Sequence, residues 1–194
     1  MYRIDDEKQL VALKSPVRQE IVDAIGAGGP ETIAEIAAQL GRPADGLYYH
    51  VRRLQKVGLL VEKGRRRAGK RFEAIYHLPD GEMRVRYPLG DQKRMEPLAD
   101  AVTAMLRLSD RDFRAGAKLP NTVAEGGDRN YWAGRTKAWL TKREAQQVRE
   151  HVEAILEIMR KAARPRQASL HAFTWLLTPL DPNTRLEVGK EKNS

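Results

Sequence analysis

Cysteine is absent from all 194 residues, which excludes disulfides and thiolate metal ligands. Aromatic side chains are scarce, with three Trp, six Tyr and three Phe. No apolar run approaches the ~20 residues that span a bilayer. The opening MYRIDDEKQL lacks the basic-then-apolar order of a secretory signal. Catalytic signatures are missing as well: there is no nucleophile elbow, phosphate-binding glycine loop or zinc-protease helix. Ser15, Ser109, Ser169 and Ser194 stand in no context that would activate a hydroxyl. The expectation is a soluble, cytoplasmic protein that is not an enzyme and carries no cofactor. Its 41% hydrophobic content suffices for a packed core.

Positive charge is abundant: the formal net charge is +9. Its placement is more telling than its sum. Residues 1–41 hold four Lys/Arg against seven Asp/Glu, residues 42–77 ten against three, and residues 78–194 twenty-one against sixteen. The excess is densest between 42 and 77, as expected of a surface that meets phosphates. A merely solvated face would not require that concentration.

The apolar spacing places helices on either side of this region. Ser15 can cap a helix with Pro16 in its first turn. Val17, Ile21, Val22 and Ile25 continue it as one stripe, and residues 26–30, GAGGP, end it. Thr32 to Glu35 is a capping-box pattern, followed by Ile33, Ile36, Ala37 and Leu40 as a buried face and Gly41 as a stop. Pro43 opens the next helix, with Leu47, Val51 and Leu54 inward, and Gly58 closes it in the manner of a C-terminal glycine. Two short helices so closely spaced suit a helix-turn-helix. A strand is expected over 59–63, a polar loop over 64–69, and a second strand over 71–78 with Phe72, Ala74, Tyr76 and Leu78 on one face.

If Leu47, Val51 and Leu54 are buried, the helix turns Asp45, Tyr49, Arg52, Arg53 and Lys56 outward. Arginine can pair in two-pronged fashion with guanine or with phosphate. Tyr48 and Tyr49 can touch a thymine methyl or a phosphate, or can pack on the neighbouring helix. Arg65, Arg66, Arg67, Lys70 and Arg71 crowd five cations into eight residues, an arrangement suited to backbone contacts that position without reading sequence.

The strings LKSPVRQEIVDAI, ETIAEIAAQLG and LYYHVRRLQKVGLLVE resemble the ArsR-like winged-helix transcriptional regulators of prokaryotes. The resemblance covers roughly Leu10 to Leu78. It implies a winged helix-turn-helix that binds double-stranded DNA, and His50 matches the family's histidine in this helix. Some relatives bind zinc through His and acidic residues on a C-terminal helix. Here His151, Glu150 and Glu153 point around a helix rather than to one face, and no metal site is expected. The missing cysteines remove the thiolate sites of the family's name-giving members.

The expected architecture is mainly α with a small β hairpin: a winged helix-turn-helix domain over 1–80, then a mostly helical dimerisation and effector domain over 81–194. In the second part, Met95, Leu98, Val102 and Met105 recur at 3-4-3 spacing, implying a helix of about four turns. Residues 116–130 read as a loop. Thr141 to Glu144 is another capping box, opening a helix in which Ala145, Val148, Val152, Ile155 and Met159 follow 3-4-3-4 spacing. Val148, Val152, Ile155 and Met159 form a seam for a second copy or for the chain's own earlier helix. Residues 169–178 read as a strand or a buried helix. Tyr131, Trp132, Arg135, Trp139, Phe173 and Trp175 gather most of the large aromatics of this half. They form either a hydrophobic core or, through Trp132, Arg135, Trp139 and Trp175, a site for an aromatic or anionic small-molecule effector. Two rival functions stay open: a winged-helix protein-interaction module in a larger assembly, and a ligand-binding or enzymatic C-terminal half with a winged-helix appendage.

Overall fold

The structure, a computed structural model, describes residues 2–79, 83–162 and 169–181. Strand β1 (Tyr2–Ile4) leads into α1 (Glu7–Leu13) and α2 (Pro16–Gly28). The two-residue β2 (Glu31–Thr32) runs directly into α3 (Ile33–Leu40), followed by α4 (Ala44–Lys56). Strands β3 (Val61–Ala68), β4 (Arg71–His77) and β5 (Met83–Val85) precede two long helices, α5 (Gln92–Gly116) and α6 (Lys142–Lys161). β2, β4 and β3 form an antiparallel sheet in that order, while β1 pairs in parallel with β5.

Helices α2, α3 and α4 follow the apolar stripes. Ile21 and Ile25, Ile33 and Ile36, and Leu47, Val51 and Leu54 enter one core, which Leu59, Leu60, Tyr76 and Leu78 close from the sheet side. Thr32 caps α3, with the Glu35 carboxylate reaching back to the Thr32 amide at 2.9 Å. Gly41 ends α3 in the left-handed conformation, at φ 61°. Ser15 stands at the start of α2 as expected but makes no side-chain capping bond.

The sequence pattern overlooked the N-terminal elements. Asp6 and Gln9 form a capping box on α1. Gln9 Nε2 also donates to the Val57 carbonyl at the end of α4 (3.1 Å) and to Tyr2 Oη (2.6 Å). The core also continues past residue 80. Leu98 of α5 belongs to it, with Met95 and Val102 packed beside it, and α5 lies along α1 and α2. α5 runs for 25 residues, well beyond the four turns expected, because Ala101, Ala104 and Leu108 extend its buried face.

Two further expectations need correction. Residues 64–68 are not a loop but the outer half of β3, and only Gly69 and Lys70 connect it to β4. Gly69, at φ 61°, supplies the positive dihedral that a two-residue hairpin turn needs at its first position. Both faces of this part of the hairpin are wet, so the segment shows no apolar alternation and looks like a loop. Residues 169–178 form neither strand nor buried helix; they run as exposed irregular chain.

Candidate nucleic-acid interface

α4 is held from three sides and left open on the fourth. Leu47, Val51 and Leu54 are buried, and Gln9 secures the C-terminal end through the Val57 carbonyl. At the N-terminal end, Arg42 precedes Pro43 and pairs with Glu20 of α2 at 2.8 Å. Arg111 of α5 holds the other Glu20 oxygen at 2.6 Å. Glu20 is therefore a buried anion clamped between α5 and the turn that starts α4, and nothing in the sequence pattern signalled it.

The open side carries Asp45, Tyr48, Tyr49, Arg52, Arg53 and Lys56, all exposed. Tyr49, 67% exposed, is spread over solvent, its ring meeting His50 edge-on at 5.4 Å. His50 is held below its ordinary pKa by burial first and then by Arg18 and Arg42. That favours a neutral, packed imidazole. Among the described residues, no cluster of three or more His, Cys, Asp or Glu could hold a metal ion.

The hairpin sorts its cations by face. Arg65 lies opposite Ala74 and Arg67 opposite Phe72, so both share a face with Tyr76, whereas Arg66 lies opposite Glu73 on the other face. Arg65 pairs with Glu62 at 3.2 Å, and Arg66 pairs with Glu35. The Tyr76 phenol is pushed above its ordinary pKa by burial first, then by Glu62 and Tyr48, with Arg52 and Arg65 acting in the opposite sense. Tyr48 and Arg52 of α4 and Arg65 of the hairpin therefore all act electrostatically on this one phenol, and Tyr76 enters the same core as Leu47, Val51 and Leu54 of α4. Lys70 and Arg71 are exposed at the tip. Glu35, kept ionised chiefly by the Thr32 amide and further by Arg66, both caps α3 and anchors the hairpin to it.

Phe72 departs from expectation. It shares the face of Tyr76 and Leu78, but the hairpin outruns the core before reaching it, and the ring is 70% exposed.

The residues expected to form an effector site are not enclosed by this chain. Trp132 and Trp139 are exposed, Trp139 at 87%, and Arg135 is exposed as well. Arg129 instead covers the Trp132 ring at 4.0 Å. Tyr131 stacks on Phe113 of α5 at 4.3 Å. Trp175 and Phe173 remain exposed, near the point where Thr174 meets Ser109 of α5 at 2.6 Å. No residue of α6 is buried, so Val148, Val152, Ile155 and Met159 do not pack into the chain's own core.

A family model described as a helix-turn-helix domain matches residues 13–63, from the end of α1 into β3. No curated protein matches the chain. The first part of the molecule is a helix-turn-helix domain, and a helical region follows it.

Proposed function

We propose that the protein is a sequence-specific DNA-binding transcriptional regulator, rather than an enzyme, acting in the cytoplasm as a homodimer on a palindromic operator. The observation that carries this reading is the exposed basic face of α4, fixed to the core by its opposite face, together with the exposed cation-rich hairpin that follows it. Tyr49, Arg52 and Arg53 face the major groove, with Asp45, Tyr48 and Lys56 beside them. Arg65, Arg67, Lys70 and Arg71 follow the phosphates, and Arg66 holds the hairpin to α3. The resemblance to ArsR-like regulators supports the same assignment.

Residues 1–80 are the DNA-facing part, and the chain beyond 80 joins the subunits, with α5 anchored in the first core. The unburied seam of α6 supports pairing with a second copy, since two helices from each subunit can form a four-helix interface. If Trp132, Arg135, Trp139 and Trp175 serve a small-molecule effector, a second subunit must complete the site.

Selection from randomised duplexes with the full chain tests the reading. The expected result is one reproducible palindrome. Arg52→Ala or Arg53→Ala should then cost about 1–3 kcal/mol and relax preference at one position per half-site. Recovery of no preferred sequence would hand the basic surface to an acidic protein partner.

A further inference from the structure

We propose that Phe72 is a DNA contact of its own kind: an apolar ring seated against the sugar wall of a groove, between phosphate contacts made by its neighbours. The inference rests on the DNA-binding reading and adds a non-ionic component to it.

Exposed apolar side chains need no explanation when they stand singly on ordinary surface. Phe72 stands elsewhere. It is two residues from the hairpin turn, follows Arg71 in β4, faces Arg67 across the sheet and has Arg65 on the same face. The core side chains of that face, Tyr76 and Leu78, lie further back, so the ring is uncovered. Arg67 does not shield it either, because its Nε donates to the Gly69 carbonyl at 3.1 Å.

Whatever covers this ring must accept cations on either side of an apolar centre. A DNA groove does so: phosphate rows line its edges, and deoxyribose carbons line the wall between them. The face that carries the ring is also the face on which Tyr76 enters the core beside Leu47, Val51 and Leu54 of α4. Duplex engaged by α4 therefore lies on the Phe72 side of the hairpin, not on the Arg66 side. An acidic protein surface would also satisfy the arginines, but the helix-turn-helix from which the hairpin extends favours duplex.

The test compares Phe72→Ala, Phe72→Leu and the double variant Arg65→Ala/Arg67→Ala on the selected duplex across a range of salt concentrations. Removing the ring should lower affinity roughly tenfold or more at every salt concentration, leaving the slope of log K against log salt unchanged. Phe72→Leu should recover part of that affinity. The arginine variant should flatten the slope by up to about 0.9 for each phosphate it no longer neutralises. The thermal midpoint of Phe72→Ala should match the parent, because the ring supports no core. Parental DNA affinity in Phe72→Ala, alongside a flattened slope in the arginine variant, would overturn the role of the ring and leave the DNA-binding reading intact. If Arg52→Ala, Arg53→Ala and the arginine double variant all bind like the parent, α4 and the hairpin are not the DNA-facing surface, and the inference falls with that assignment.

Discussion

Glu35 shows how one side chain can serve two elements. Its carboxylate closes the capping box of α3 and receives Arg66 from the hairpin, so the basic arm is referenced to the helix that α4 packs upon. The sequence revealed the capping half of this role but not the ion pair, because pairing across 31 positions leaves no local pattern. Glu20 was equally hidden: a lone acid on α2 says nothing until Arg42 and Arg111 converge on it. Tyr49, Arg52 and Arg53 were legible, since burying Leu47, Val51 and Leu54 leaves them one direction to point. Asp23 provides a pH-dependent check on the α2–α5 contact. The residue keeps an exposed surface, yet its carboxyl is crowded where α5 approaches. Loss of hydration first, then repulsion from Asp112 and Glu20, raises it from 3.8 to about 6. Between those values the folded chain retains a proton that the unfolded chain has released. Asp23 therefore favours the folded state at low pH and loses that contribution as pH rises through about 6. Urea titrations from about pH 4 to about pH 7 should show that decline, and Asp23→Asn should flatten it. An identical decline in the variant would assign the titration to another group.

Among the elements, α2, α3 and α4 could be read from their stripes, caps and stop signals, and α6 from its capping box and 3-4-3-4 seam. β1 and β5 could not, because a parallel pair of three-residue strands so far apart in the chain has no local signature. The hairpin was half legible, and a β-bulge stands where the legible half ends. Glu62 pairs with Tyr76 and Gly64 with Ile75, leaving Lys63 as the extra residue. Since side chains alternate, that single insertion decides which arginines share the face of Tyr76. With it, Arg65 and Arg67 share the face of Tyr76 and Arg66 meets Glu35. A regular strand continued from Glu62 would reverse the three. Deleting Lys63 should remove the bulge while keeping Arg65 opposite Ala74, Arg66 opposite Glu73 and Arg67 opposite Phe72, so that the tie to Glu35 survives. The expected readout is a parental salt dependence of DNA binding, in a protein whose helical circular dichroism is unchanged. A slope flattened by about 0.9 would show instead that the strand had re-paired and turned an arginine away.

At the scale of the whole molecule, the exposed α6 seam separates two ways of using a second copy. Because no residue of α6 is fully buried, Ile155→Asp should leave the folded monomer nearly intact while abolishing the proposed dimer by placing an unpaired charge between subunits. Sedimentation over a dilution series should find a folded monomer with weak operator binding; a variant that stays dimeric would move the subunit contact to another surface. In the proposed dimer, α5 lies in the chain between that contact and the helix-turn-helix. Its first turns are embedded with Leu98 in the helix-turn-helix core, and it continues unbroken to Gly116, a rod of roughly 37 Å at about 1.5 Å per residue. A rod rooted in the reading head works as a ruler. In a dimer built on it, the distance between the two α4 helices is set by the protein and is not negotiated with each DNA site. An operator whose half-sites are moved apart by about five base pairs, half a helical turn, should then be bound like two isolated halves, because the second head arrives on the wrong side of the duplex.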